Sequence, residues 1–344
     1  MFFIFYGKGY YYFCKSNMIM NGSEIFKINS TSEFDVQALK VYRHQYLHNA
    51  VYQEFCSYFR KTEENVTQVS EIPFLPISFF KSKEIISGEK NPVAIFTSSG
   101  TTGSETSKHF VNRIALYEQS FREAFEHFYG KIEDYCVLAL LPSYLEREGS
   151  SLIYMVDDMI KQSKHVDSGF YLNDLDSLRK KLTQLDARGQ KILLIGVSFA
   201  LLDMVETHPL QLKNTIIMET GGMKGRRKEL IREELHDILK AGFGVPVIHS
   251  EYGMTELLSQ GYSKGNGIFK TPPWMKILIR DTEDPLAFQD HKKTGGINVI
   301  DLANIDSCAF IATQDLGKTY ANNTFEVLGR FDHSDVRGCN LMVL

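Results

Sequence analysis

Eight consecutive residues, Thr97, Ser98, Ser99, Gly100, Thr101, Thr102, Gly103 and Ser104, are all glycine, serine or threonine, and they follow an apolar run from Val93 to Phe96. A loop of this kind after a strand can turn several backbone N–H groups inward as an anion nest. Glycine allows positive φ and close approach, and the hydroxyls add donors. Phosphate binding is the chemistry that fits. The nucleoside-triphosphatase loop needs Gly-x4-Gly-Lys-Ser/Thr, whereas Gly100 and Gly103 stand too close together and no Gly-Lys pair follows. The dinucleotide-binding glycine pattern fails as well. The plain alternative is a surface turn.

Two nucleophiles compete for attention. Gly196-Val197-Ser198-Phe199-Ala200 follows an apolar run and opens a helical segment, near the Gly-x-Ser-x-Gly elbow of α/β-hydrolases. Asp301 or Asp315, then His333, follow in triad order, but alanine replaces the second glycine and no oxyanion loop precedes it. Cys339 is the other. It lies two residues after Arg337, whose charge lowers a nearby thiol's pKa; otherwise a lone cysteine packs as a small apolar residue. Cys136 and Cys308 sit in strand-like runs, and Cys14 and Cys56 have no chemistry around them. With no CxxC pair and an odd count of five, neither a disulfide framework nor structural zinc is expected. His109 and His249 are expected to satisfy local hydrogen bonds; His333 is the histidine to watch.

The elements that must position these residues are legible from periodicity. Residues 32–59 carry apolar residues at helical spacing, and "EIPFLPISFFKS" reads as an extended connector. Beyond it, apolar strands alternate with helices: "YCVLALLP", "SLIYMVDDMIKQS", "QKILLIGVS", "FALLDMVETHP", "NTIIMETGG", "RRKELIREELHDILKAGF" and "VPVIHSEYG". Such alternation predicts an α/β fold with a parallel sheet covered on both faces. After about residue 270, shorter β-like runs predict an antiparallel or barrel-like subregion.

Composition bounds the function. The chain has 344 residues, 43% hydrophobic and 23% charged, with a formal net charge of −4. These values describe an ordinary globular protein with no electrostatic footprint for nucleic acid; the basic run Lys224 to Lys228 reads as a solvated face. The aromatic start makes a poor signal peptide, and Gly7, Lys8 and Gly9 interrupt it well short of a membrane span. The first seventeen residues are expected to be dispensable and the protein cytoplasmic.

"TSSGTTG" resembles the phosphate loop of the adenylate-forming enzymes, the group of acyl-CoA synthetases, luciferases and peptide-synthetase adenylation domains. That family closes its loop with Gly-x-Pro-Lys, whereas here Lys108 falls two places late and no proline precedes it. Four further stretches follow in the family's order: "ETGGMKG", "SEYGMTELLSQGY", "TQDLG" and "GRFD". The resemblance implies ATP on Ser98 to Gly103, with adenine near Gly221, Gly222 and Tyr252 in Tyr252-Gly253-Met254-Thr255-Glu256. Thr255 would then handle phosphate, Glu256 Mg²⁺, Asp315 and Arg330 the ribose, and Asp332 the hinge.

Only twelve residues follow Asp332, where most of the family has a C-terminal domain of roughly a hundred residues with a catalytic lysine. The ending resembles the LuxE acyl-protein synthetases, relatives of phenylacetate-CoA ligases. These activate a fatty acid as acyl-AMP and capture the acyl group on a cysteine near their own C-terminus. "LPSYLEREGSSL" and "ETGGMKGRRKEL" are similar to that family too. The resemblance implies an adenylating domain over residues 30–328, an extension over 1–29, and a hinge remnant and tail over 329–344 carrying Cys339. It also implies a partner, a LuxC-like acyl reductase or an acyl carrier. The alternatives are a CoA ligase of the same fold, a Ser198 hydrolase, and a relative that binds nucleotide without turnover.

Overall fold

The computed structural model describes residues 21–98, 106–142, 149–207, 209–221 and 230–331. The N-terminal third is helical. α1 (Thr31–His48) and α2 (Ala50–Tyr58) meet at Asn49, which ends the first helix and caps the second. Its Oδ1 accepts from the Tyr52 N–H at 3.0 Å, while its amide donates to the Ser307 carbonyl at 3.0 Å. Residues 22–28 pack on the domain with Ile25 and Ile28 buried. The proline-rich connector is extended, as expected, and adds the two-residue strand β1 (Leu75–Pro76) and one short helix, α3 (Phe79–Ser82).

β2 (Ala94–Thr97) and β3 (Lys108–Val111) form an antiparallel pair by themselves, and α4 (Ile114–Tyr129) follows. The βα alternation begins with β4 (Cys136–Leu140), α5 (Ser151–Ser163) and β5 (Gly169–Phe170). It continues through α6 (Leu175–Ala187), β6 (Ile192–Gly196), α7 (Ser198–Thr207), β7 (Thr215–Glu219), α8 (Arg232–Phe243) and β8 (His249–Tyr252). These strands are parallel neighbours in the order β5-β4-β6-β7-β8. Every residue of β4 and β6 is buried, as helices on both faces require. The Asp186 carboxylate fixes the entry to β7 by accepting from the backbone N–H groups of Lys213 and Asn214 and from the Thr215 hydroxyl.

The sheet then changes hand without ending. β9 (Gly261–Ser263), β10 (Phe269–Lys270), β11 (Met275–Arg280), β12 (Gly295–Asp301), β13 (Phe310–Thr319) and β14 (Thr324–Arg330) continue it with antiparallel pairs. The antiparallel part therefore starts at β9, earlier than residue 270, and extends the parallel sheet. Short strands could not be separated from loop by periodicity alone. β11 alternates buried and half-buried residues, the pattern of a strand with one covered face. Among the described residues, no helix is long and apolar enough to cross a membrane.

Candidate active site

The Gly/Ser/Thr loop closes the β2–β3 hairpin. Thr97 pairs with Lys108, the Ser98 N–H donates to the Ser107 carbonyl at 3.1 Å, and the Ser107 N–H donates to Ser98 Oγ at 2.9 Å. Two serines thus clamp the loop's stem. Lys108 belongs to β3 with an exposed side chain, one residue beyond the stem. The loop residues Ser99, Gly100, Thr101, Thr102 and Gly103 lie outside the described residues, as do Gly222, Asp332, His333, Arg337 and Cys339.

The turn after β8 brings Glu256 to this stem. Glu256 is buried, and that burial pushes its carboxyl above the ordinary value, opposed by a hydrogen bond from the Ser107 side chain and by the charge of Arg330. The turn is held from behind. Asn304 donates to the Glu256 carbonyl at 2.8 Å, His109 Nδ1 lies 2.8 Å from the Thr255 carbonyl, and His109 Nε2 lies 3.0 Å from Asn304 Oδ1. Burial pushes the His109 imidazole down to about 4, against those two hydrogen bonds. His249 likewise contacts Tyr129 Oη at 3.2 Å, so both histidines are hydrogen-bonded, but to partners far away in sequence rather than local ones.

Tyr252 donates from its hydroxyl to Asp315 Oδ2 at 2.9 Å, and Arg330 Nε approaches Asp315 Oδ1 at 3.4 Å. β13 carries Asp315 and β14 carries Arg330, paired directly in register. The Tyr252 ring is seated against Phe325 and Phe269, at 5.6 and 6.1 Å between centroids. Tyr252, Glu256, Asp315 and Arg330, up to 78 residues apart in sequence by number (330 − 252), are therefore one cluster.

Beside it lies a polar group the sequence did not single out. Glu219, at the end of β7, is buried and accepts from the Gly221 N–H at 3.0 Å and from Ser198 Oγ at 3.3 Å. Burial pushes its carboxyl up, but His236 at 3.7 Å and Arg232 at 3.8 Å outweigh that and hold it below the usual range. Gly221 takes a φ of +62°, a conformation that favours glycine, so its N–H can turn back to Glu219.

Ser198 is thereby assigned a partner, and it is not a histidine. Its hydroxyl faces a carboxylate, and the side chain is buried. Asp301 is spent on the Ser259 hydroxyl and the N–H groups of Leu258, Ser259 and Ala303, while Asp315 is spent on Tyr252 and Arg330. No serine–histidine–acid relay forms among the described residues. The cysteines in the described residues, Cys56, Cys136 and Cys308, are buried and free.

The stem serine, Asn304 and Glu219 were missed because their contacts cross long stretches of sequence, 195 residues between Asn304 and His109, or depend on which face of a strand they occupy. No local spacing reports such contacts. The signal that existed was composition: a buried acid at a strand end before two glycines.

Residues 24–344 match the family described as acyl-protein synthetase, LuxE. A long-chain-fatty-acid–luciferin-component ligase of Photorhabdus luminescens is 36% identical over 66 residues, 19% of this chain and 56% of that protein. ATP-bound MatB from Rhodopseudomonas palustris superposes with a TM-score of 0.54 at 16% identity, over 71% of this chain and 49% of MatB. A 2-hydroxyisobutyryl-CoA ligase, solved with 2-HIB-AMP and CoA, gives 0.62 at 10% identity, over 88% of this chain and 70% of that one. At these identities the structural likeness is one of fold. The chain spans 56% of the curated relative and 49% of MatB, about half of each.

Proposed function

The chain belongs to the LuxE family of acyl-protein synthetases, and we propose that it uses ATP to activate a fatty carboxylic acid as the acyl-adenylate and then captures the acyl group on its own Cys339. A substrate carboxylate oxygen attacks the α-phosphorus, the bond to the β-phosphate oxygen breaks, and pyrophosphate leaves. The Cys339 thiolate then attacks the acyl carbon, forming a thioester as the acyl–oxygen bond to AMP breaks.

The residues of this chain take the following parts. The Ser98-to-Gly103 loop donates to the phosphates, and the Ser98–Ser107 clamp sets its stem. Gly221 and Gly222 border the adenine with Tyr252, and Asp315 accepts from the ribose hydroxyls with Arg330 alongside. Thr255 and Gly253-Met254 carry the backbone past the phosphates. Glu256 fits Mg²⁺: one buried carboxylate, completed by phosphate oxygens and waters, is a ligand set this ion takes in nucleotide sites. Mg²⁺ bound there would spread the charge developing on the phosphates.

The observation that carries this reading is the convergence of Ser107 from the loop stem, Glu256 from the turn after β8, and Asp315 with Arg330 from β13–β14. A free thiol nucleophile suits a reducing compartment such as the cytoplasm, and a stored thioester calls for a reductase or carrier to take the acyl group onward. The test is acid-dependent pyrophosphate release with a fatty acid series. Glu256→Gln should lower it by about 100-fold or more. Release that is absent with every acid, or unchanged in Glu256→Gln, counts against the assignment.

A further inference from the structure

β8 and β9 pair Glu251 with Tyr262 and Tyr252 with Gly261. Directly paired residues share a face of the sheet, so Glu251 and Tyr262 stand together, opposite to Tyr252. Continuing the register by one face-repeat brings Gly253 and Gln260 alongside them. On the other flank, Glu219 pairs with Ser250, so Thr220 alternates onto the face of Glu251.

This face carries polar atoms with nothing to bond. Thr220 Oγ1, Gln260 Oε1 and Tyr262 Oη are buried without a hydrogen-bond partner. Their residues are 7%, 4% and 2% exposed. The half-buried Glu251 carboxyl receives no hydrogen bond from the described residues; its surroundings act on it only through burial and through the charge of Glu219. Gly253 makes room for the Glu251 carboxyl, since a Cβ there would collide with Glu251 Oε1. Gly253 is itself exposed and lies between Tyr252 and the Thr255–Glu256 turn, so this polar face ends beside the cluster described above.

We propose that this polar face is a subsite for a hydroxyl group on the carboxylic acid, so that the enzyme prefers a hydroxylated acid over the unsubstituted acid of equal length. The proposal rests on the acyl-activation reading of the neighbouring cluster. An alkyl chain laid against Thr220, Glu251, Gln260 and Tyr262 would leave their polar atoms unpaired, and buried polar groups without partners are costly. A hydroxyl both donates and accepts, so it can satisfy Gln260 Oε1 on one side and a hydroxyl or carboxyl on the other. Burial, and after it the charge of Glu219, push the Glu251 carboxyl up to about 8, so it is mainly uncharged near neutrality. That favours a neutral hydroxyl over an ammonium group. Sites built to bond a substrate hydroxyl discriminate strongly against the analogue without it.

The experiment measures acid-dependent pyrophosphate release for an unsubstituted acid and for its positional hydroxy isomers, with wild type, Tyr262→Phe and Glu251→Gln. At least one isomer is expected to exceed the unsubstituted acid in kcat/KM by about 10- to 100-fold. Tyr262→Phe should erase most of that ratio while leaving KM for ATP unchanged. Tyr262→Phe removes an oxygen that bonds to nothing, so Tm should hold; Glu251→Gln, nearly isosteric, serves as the second variant. If the unsubstituted acid matches every isomer, or the preference survives both variants, this face is no substrate subsite and the proposal falls while acyl activation stands. If no acid supports pyrophosphate release, acyl activation itself falls and this subsite with it.

Discussion

Tyr252 and Arg330 hold opposite oxygens of one carboxylate, but they hold it in different media. The Tyr252 hydroxyl is buried with Asp315, whereas the Arg330 side chain is 82% exposed. An ion pair with so exposed a partner contributes little to folding, and the role proposed for Arg330 is toward the nucleotide. Arg330→Ala should leave Tm within about 2 °C and raise KM for ATP by about tenfold, as the loss of a hydrogen bond to or from a charged group predicts. A shift in Tm with an unchanged KM would reassign Arg330 to the fold. Glu251 makes a pH-dependent prediction. Its folded carboxyl is raised from 4.5 to about 8, chiefly by burial and then by Glu219. A carboxyl that holds its proton more tightly when folded contributes fully below its unfolded value, and the contribution is lost as pH climbs through the folded one. Glu251→Gln should therefore match the wild-type Tm near pH 4 to 4.5, gain on it as pH rises toward about 8, and hold a constant lead above that. A gap that is constant with pH would mean Glu251 ionises as an ordinary exposed acid.

At the scale of elements, Asn49 does three jobs: it ends α1, caps α2, and ties the helical layer to the sheet through the Ser307 carbonyl. Asn49→Ala removes the cap and strands a buried carbonyl, so it should cost about 2 kcal/mol in denaturant titration. A loss under about 0.5 kcal/mol would show that the cap is replaced by a neighbour. Elements of this kind were legible where one face or one cap dominates. "SLIYMVDDMIKQS" is α5 residue for residue, and the apolar runs of β4, β6 and β7 announced a parallel sheet. α6 went unread because its charged surface dilutes four buried residues, Leu178, Leu182, Leu185 and Asp186. β9 and β10, three and two residues long, are too short to show a period. In the site, residues with a motif around them, such as Tyr252, Glu256 and Asp315, were legible. Ser107, Asn304 and Glu219 were not, because their roles come from cross-strand register and from loops that meet only after folding.

Over the whole molecule, one continuous sheet runs from the parallel strands through β8 into the antiparallel strands. The candidate site sits where the two halves join, with β7 and β8 on one side and β13 and β14 on the other. The described chain leaves this junction at Phe331, whose N–H bonds the Gln314 carbonyl next to Asp315. Cys339 follows eight residues later, a stretch that spans at most about 28 Å when extended. That length is compatible with the proposed capture of the acyl group by Cys339. The described cysteines are poor rivals: burial pushes the thiol of Cys56 up to about 12, that of Cys136 up to about 11, and that of Cys308 higher still. Activation and capture should therefore separate cleanly. With ATP, Mg²⁺ and an accepted acid, wild-type protein should gain one acyl mass that neutral hydroxylamine removes. Cys339→Ser should keep pyrophosphate release within about twofold and lose that mass, because in the proposed sequence the thiol attacks only after pyrophosphate has left. If the variant still carries hydroxylamine-labile label, another thiol is the acceptor. If wild type makes AMP without any added mass, the acyl group passes to CoA or a carrier instead.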